Sequence, residues 1–197
     1  MNPGPPNARN APSPPREKSQ LRPDDAAEVG RRIRALREER GLSLSELARR
    51  AGVGKATLSG LENGTRNPTL ETLWAVTGHL GVPLAAVVRP GPVAPGAAVH
   101  AELLQSFEES TATYELYRLR IPAGTAQTSP AHAEGVTEHL TVFQGVLTAG
   151  PRDAPRTLVP GDHLTWTSDV PHVYEAAGDD VHASLLMRYP RPAPPAG

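Results

Sequence analysis

Residues 44–64, LSELARRAGVGKATLSGLENG, decide the fold of the N-terminal half of this chain. The pattern predicts two short helices joined at Gly52, because glycine can take the positive φ that ends a helix. Ala48 is small, so the two helices can cross closely at a steep angle. The remaining apolar residues are expected to face inward and hold the helices together. They are Leu47, Ala51, Val53, Leu58 and Leu61.

Helical spacing of apolar residues continues on both sides of this pair. Val29 and Ile33 begin a helical pattern that predicts a helix before it. Thr69 is a typical cap for a helix after it, and Pro83 favours the first turn of a short fifth helix. The sequence therefore predicts a compact five-helix domain over residues 25–88.

The outward side chains of the third helix are short and polar, which suits entry into the major groove of DNA. Lys55 can reach a guanine edge or a phosphate, and Asn63 offers both a donor and an acceptor. Glu62 is instead expected to form an ion pair with an arginine of the first helix. The predicted DNA-contacting residues are Lys55, Ala56, Thr57, Ser59, Gly60, Asn63 and Arg66.

Charge is distributed unevenly along the 197 residues, although the formal net charge is only -1. Residues 25–88 hold nine Lys or Arg against seven acids, whereas residues 98–190 hold five against twelve. Nucleic acid is therefore expected at the first domain rather than the second. A helical bundle that contacts another protein is the alternative, since a fold alone does not dictate function.

Proline-rich segments divide the chain. They predict a disordered arm over 1–24, a linker over 89–97 and a flexible tail over 191–197. Between linker and tail, residues 98–190 form short β-branched and aromatic runs separated by turns, which predict seven strands in an antiparallel barrel or sandwich. The chain has no cysteine and no apolar run long enough for a membrane span, so we expect a soluble cytoplasmic protein.

The β-rich half carries histidines and glutamates at metal-ligand spacing. His132, Glu134, Glu138 and Gly145 follow the pattern H-x-E-x3-E-x6-G, and His172 comes from a later strand. Positions 132 and 134 of a strand share one face, to which Glu138 can return after a turn. Such a set can hold Fe(II), Mn(II), Ni(II) or Zn(II), or it can hydrogen-bond an organic ligand instead. The candidate metal or effector site is His132, Glu134, Glu138 and His172.

Two resemblances follow from these motifs. Gly30 to Val88, with GLSLSELARRAGVGKATLSGLENGTRNPTLETL at its centre, resembles the lambda-repressor-like helix-turn-helix domain of the xenobiotic-response-element regulators. That resemblance implies dimers that bind palindromic operators in double-stranded DNA. The histidine motif resembles the cupin superfamily, in which metal-binding members have histidine where Glu134 stands. It implies an antiparallel cupin β-barrel, or jelly roll, and hence an α+β two-domain chain.

Together these features predict a homodimeric DNA-binding transcription regulator, without enzymatic activity, whose cupin domain senses a small-molecule effector. The alternative is a mononuclear metal-dependent cupin oxygenase or epoxidase with an appended helix-turn-helix domain. In that case His132, Glu138 and His172 would form a facial triad of metal ligands. Iron-dependent oxygen consumption would favour the enzyme, and salt-dependent binding to duplex DNA would favour the regulator.

Overall fold

The computed structural model describes residues 23–93 and 96–191, so most of the predicted arm and tail lies outside the described residues. A helical domain comes first, and a β domain follows it. Within the described residues there are four α-helices and one short 3-10 turn. These are α1 (Pro23–Glu39), α2 (Leu44–Arg50), α3 (Lys55–Glu62), α4 (Leu70–Leu80) and the turn Leu84–Ala86.

The prediction of a fifth α-helix is wrong, because the segment after Pro83 makes only a 3-10 turn. The N–H groups of Ala86 and Val87 donate to carbonyls three residues back, which is the 3-10 pattern. Arg89 precedes Pro90, and a residue before proline avoids the α conformation. The turn therefore has no room to grow into a helix.

Helices α2 and α3 form as their local sequence predicts. The hydroxyl of Ser43 accepts a hydrogen bond from the Glu46 N–H at 3.1 Å and caps α2. Gly52 has a φ of 63°, which allows the chain to leave α2 and enter α3 within a few residues. Ala48 is buried between the helices at 3% exposure. The two helices are thus a tightly packed helix-turn-helix pair.

A buried ion pair ties α1 to α3. Arg37 donates from Nε to Glu62 Oε1 at 2.7 Å and from Nη2 to Glu62 Oε2 at 2.8 Å. Its third donor, Nη1, reaches the Leu42 carbonyl at 2.9 Å. Both charged side chains are largely withdrawn from solvent, so each charge needs the other to offset the cost of its desolvation.

Replacing Glu62 with alanine is expected to lower the free energy of unfolding by about 3 kcal/mol, because it leaves the Arg37 guanidinium buried without its carboxylate. Urea denaturation followed by circular dichroism measures the change. Glu39→Ala is the control, since Glu39 is exposed at the end of α1 and its loss should matter by less than about 0.5 kcal/mol. Equal stability of the two variants would contradict the structural role given to this ion pair.

The β domain is built from two antiparallel sheets. One has six strands in the order β1-β2-β3-β10-β5-β8, and the other has four in the order β4-β9-β6-β7. The strands are β1 (Gly91–Pro92), β2 (His100–Glu108), β3 (Ala112–Ile121), β4 (Thr125–Ser129), β5 (Thr137–Gln144), β6 (Leu147–Pro151), β7 (Arg156–Leu158), β8 (His163–Thr167), β9 (His172–Ala176) and β10 (Val181–Pro190).

The two sheets pack face to face without joining into a closed barrel, so the prediction of a β-barrel is wrong in that respect. Each ladder ends at its own edge strands, β1 and β8 in one sheet and β4 and β7 in the other. The architecture is consistent with a cupin sandwich, in which inward side chains of both sheets form one core. This packing brings β5 of the larger sheet opposite β9 of the smaller one.

The two domains share one core. Strand β1, inside the predicted linker, pairs with β2, and the Ala97 N–H donates to Glu71 of α4 at 2.7 Å. The buried apolar cluster continues from the helical domain into the β domain without a break. Within residues 23–93 and 96–191, no helix combines the length and the hydropathy that a membrane crossing requires.

Candidate functional site

The outer face of α3 is open to solvent. Four of the predicted DNA-contacting residues are exposed, namely Lys55, Ala56, Asn63 and Arg66. The other three, Thr57, Ser59 and Gly60, are partly buried along the same helix. Apart from Lys55 and Arg66, the residues of this face have small side chains, so the helix backbone can approach the floor of a DNA groove.

Two hydrogen bonds organise the polar groups of this face. Arg66 Nη1 donates to the Thr57 hydroxyl at 3.1 Å, which folds the guanidinium back along the helix. Asn63 Nδ2 donates to the Ser59 hydroxyl at 3.5 Å. Neither Lys55 nor Arg66 forms an ion pair with a carboxylate among the described residues. Their charge is available to a phosphate or a base.

Unlike Lys55 and Arg66, most arginines of α1 form ion pairs with acids of the helical domain. Arg31 and Arg32 both pair with Glu28, and Arg34 pairs with Glu38. Surface pairs of this kind contribute little to stability, but they reduce the positive charge that α1 presents. Among the described residues of the helical domain, Lys55 of α3 and Arg66 just beyond it form no ion pair, and neither does Arg40, which follows α1 and donates to the Leu36 carbonyl.

A second site lies between the two sheets of the β domain, where two histidines and a glutamate meet. His132 Nε2 lies 3.2 Å from Glu138 Oε1, and His172 Nε2 lies 3.3 Å from the same oxygen. The three ligand atoms are all within 4.8 Å of one another. Each side chain is almost completely removed from solvent, with exposures of 4%, 1% and 1% for His132, His172 and Glu138.

The surrounding structure fixes the orientation of each member of this triad. His172 Nδ1 lies 3.0 Å from the Val170 carbonyl, and this contact orients the ring so that Nε2 faces Glu138. The Tyr174 hydroxyl donates to the second carboxylate oxygen of Glu138. The backbone N–H of His132 donates to the Ser168 carbonyl at 2.8 Å.

Neighbouring groups keep the Glu138 carboxylate charged although it is buried. Burial alone would raise the pKa of its carboxyl group, but the imidazoles of His172 and His132 and the Tyr174 hydroxyl outweigh burial and lower it. Burial, together with the Glu138 charge, raises the pKa of Tyr174 well above its usual value. The hydroxyl therefore stays protonated and acts as a donor.

The triad has the donor set and the geometry of a metal site. The buried atoms His132 Nε2, His172 Nε2 and Glu138 Oε1 have no hydrogen-bond partner among the described residues. Three converging ligand atoms without partners are unusual in a protein interior, where polar groups are nearly always satisfied. Two imidazoles and one carboxylate form the facial set that holds divalent transition metals. These residues could therefore hold a metal ion.

Glu134 does not join the triad. The segment from Pro130 to Val136 contains a turn rather than a strand, and Gly135 has a φ of 76° within it. The rule that positions 132 and 134 share a face applies only to extended strands, so it fails at this turn. The Glu134 side chain is exposed and lines a cavity between the domains.

The chain is similar to known proteins over most of its length. The helix-turn-helix family model HTH_3 matches residues 33–87. The HTH-type transcriptional regulator SutR of Escherichia coli K12 is 31% identical over 167 residues, which cover 81% of this chain and 93% of that protein. The chain belongs to the HTH-type transcriptional regulators. This regulator is a DNA-binding protein, and its helical domain is the DNA-binding domain.

Solved structures extend the likeness beyond the DNA-binding domain. An HTH_3 family transcriptional regulator from Vibrio cholerae is 26% identical with a TM-score of 0.77, covering 86% of the regulator and 99% of that chain. The shared fold therefore includes the β domain. A Cupin_2 domain of an XRE family transcriptional regulator from Enterobacter cloacae is 28% identical over 48% of this chain, with a TM-score of 0.43.

Two contacts between the domains of the regulator were not predicted from the sequence. The indole ring of Trp74 in α4 packs edge-on against the His132 imidazole, with ring centroids 5.6 Å apart. Glu115 of β3 is fully buried and accepts hydrogen bonds from the Ala85 N–H and the Tyr117 hydroxyl. Burial raises the pKa of Glu115 while these donors oppose the rise. No local sequence pattern marks contacts between residues so far apart.

Proposed function

We propose that this regulator binds palindromic double-stranded DNA as a homodimer and changes its DNA affinity when the β domain binds a divalent metal or a small-molecule effector. One observation carries the sensing part of the proposal. The His132 imidazole belongs to the triad and at the same time contacts Trp74 of the DNA-binding domain. A displacement of the His132 ring would therefore act directly on a residue of the DNA-binding domain.

The DNA contacts are assigned to the outer face of α3. Lys55 and Asn63 are proposed to read base edges, and Thr57 and Arg66 to contact phosphates. Ala56 and Gly60 allow the helix to lie close to the bases because they have little or no side chain. In a dimer, two copies of α3 would occupy half-sites about one helical turn, ~34 Å, apart.

The metal ligands are assigned to His132, Glu138 and His172, and Fe(II), Mn(II), Ni(II) and Zn(II) all suit this donor set. A bound divalent ion would supply positive charge beside the Glu138 carboxylate. The chain itself supplies the rest of the arrangement. The Val170 carbonyl orients the His172 ring, and Tyr174 orients the Glu138 carboxylate.

Coupling between the sites requires that the two states of the protein differ in metal affinity and in DNA affinity. We propose that the His132 ring takes slightly different positions in these states and that Trp74 transmits the difference to α4. Trp74 is buried at 3% exposure, so it cannot move without moving its neighbours. Helix α4 contacts α1 and α2, which in turn position α3.

Metal addition is expected to change the affinity of the regulator for an operator fragment by at least about fivefold, the lower end of typical coupling energies. In Trp74→Leu the change should fall below about twofold, while DNA binding itself persists. Fluorescence anisotropy with chelator-treated protein, before and after adding each metal, measures both quantities. The operator fragment comes from selection of genomic DNA on the wild-type protein.

Val76→Ala is the matched control, because Val76 is a fully buried residue of the same helix and its truncation also removes packing. It should keep the metal response of the wild type. A wild-type affinity that ignores every metal tested, or a Trp74→Leu response equal to that of Val76→Ala, would contradict the coupling proposal.

The second candidate function is a mononuclear metal-dependent oxygenase or epoxidase, which the donor set of His132, Glu138 and His172 favours. The relation to transcriptional regulators over most of the chain favours the non-enzymatic alternative. Oxygen uptake by the iron-loaded protein distinguishes the two functions. Turnover that disappears in His172→Ala would establish an enzyme, and its absence with active DNA binding would support the regulator.

A further inference from the structure

A cavity of about 680 Å³ lies between the two domains, beside the triad. The end of α4 and the segment that follows it form one wall, with Gly78 and Gly81 among the lining residues. Strands β2 and β3, the turn at residues 132–136 and the end of β10 form the other wall. A volume of this size is typical of sites for small organic molecules.

The cavity wall is mainly apolar. Its aliphatic part includes Val82, Val88, Leu103 and Val136. Such a surface favours a ligand with a hydrophobic body, because burial of apolar area in a pocket drives most small-molecule binding. Polar groups at the rim would then set the orientation of the ligand.

The charges at the rim favour a cationic ligand group. Glu134, Glu108 and Arg191 all line the cavity. Arg191 Nη1 pairs with Glu108 Oε2 at 2.7 Å, so these two charges largely neutralise each other. Glu134 forms no ion pair with any cation among the described residues. One carboxylate is therefore left to attract a positive charge.

We propose that this interdomain cavity binds an organic ammonium compound with an apolar body, and that Glu134 recognises the ammonium group. The proposal rests on the proposed function, since it assigns the effector to a position between the domains. Both domains contribute walls, so occupancy depends on how they lie against each other. His132 also lines the cavity, so the ligand and the triad share one residue.

Helix α4 and the turn at residues 132–136 lie close to each other beside the cavity. A Cβ added at Gly78 of α4 would lie 3.8 Å from the Ala133 backbone nitrogen, which is ordinary van der Waals contact. A ligand in the cavity would contact both α4 and the turn that carries His132 and Glu134. Its binding would therefore favour one relative position of the domains over another.

The test is an NMR titration of isotope-labelled full-length protein, without DNA or metal, using three probes with the same phenylethyl body. Phenethylamine carries an ammonium group, 2-phenylethanol is neutral and 3-phenylpropanoate is anionic. Phenethylamine should bind most tightly and shift the amide resonances of Gly78, Gly81 and Ala133. Glu134→Gln should weaken its binding by about fivefold, as expected for one partly exposed ion pair.

Glu175→Gln is the control, because Glu175 is exposed on β9 and lies outside the cavity wall. It should leave the affinity for phenethylamine unchanged. The proposal is overturned if phenethylamine does not bind, if the neutral or anionic probe binds equally well, or if the shifted resonances lie elsewhere. Such a failure would leave the proposed DNA and metal functions intact, because neither enters the titration.

Discussion

Replacing His172 with alanine is expected to abolish tight binding of a divalent metal by this regulator. The substitution removes one of three ligands and leaves only His132 and Glu138, which cannot form a facial set. We expect the affinity to fall by more than about 100-fold, because loss of an outer hydrogen-bond partner alone costs 10- to 100-fold. The wild type should bind one ion per chain.

A second variant distinguishes the loss of a metal ligand from the loss of a hydrogen bond that orients a ligand. Tyr174→Phe keeps all three ligands but removes the hydrogen bond to Glu138, so we expect metal affinity to fall about 10- to 100-fold. His163→Ala is the control, since His163 is exposed on β8, hydrogen-bonds with the Thr141 and Thr165 hydroxyls and lies beside the His139 ring, with no contact to the triad. It should bind metal as the wild type does.

Elemental analysis of protein purified without a histidine tag gives occupancy, and isothermal titration of the chelator-treated protein gives affinity. Thermal unfolding of each variant without metal checks that the fold is retained. If the wild type takes up no Fe, Mn, Ni or Zn under these conditions, or if His172→Ala binds as tightly as the wild type, the triad is not a metal site.

The helix-turn-helix pair could be predicted because its determinants are local. The cap at Ser43, the small residue Ala48 and the positive φ of Gly52 each depend on only a few neighbouring residues. The structure confirms the expected ion pair between Glu62 and an arginine of α1, which is Arg37. The prediction of a fifth helix was wrong because helical spacing does not reveal when a segment is too short to form an α-helix.

The β domain was predicted less completely, because sheet order depends on pairings between distant strands. Turn residues locate the strands, but they do not decide whether the hydrogen-bond ladder closes into a barrel. The spacing of His132, Glu138 and His172 did indicate a shared site. It also included Glu134, because the rule of alternation was applied to positions 132 and 134 as if they lay on a strand. The turn expected after them in fact begins earlier, so residues 130–136 are not extended and the rule does not hold there.

The contacts between domains were not predictable from sequence patterns. Trp74 has the helical spacing of an ordinary core residue, and nothing nearby indicates that its partner is His132. Glu115 lies in a strand whose alternation predicts only that its face is buried. A buried carboxylate needs donors, but a single sequence does not show that one donor is the Ala85 N–H of the other domain.

The outer face of α3 is proposed to read DNA sequence, and a double substitution of Lys55 and Asn63 by alanine tests this role. Both side chains are exposed, so the fold should be retained. Each direct base contact is worth about 1–3 kcal/mol of discrimination. Two such contacts are worth about 2–6 kcal/mol, so we expect the preference for the operator over unrelated DNA to fall by roughly 30-fold or more.

The decisive measurement is the affinity of wild-type and Lys55→Ala/Asn63→Ala protein for the selected operator and for unrelated duplex, across a range of salt concentrations. We expect selective wild-type binding that weakens steadily with salt and nearly lost selectivity in the double variant. Arg118→Ala, which removes an exposed cation of β3, should behave like the wild type. A folded double variant that binds the operator with unchanged affinity and selectivity would contradict the role proposed for α3.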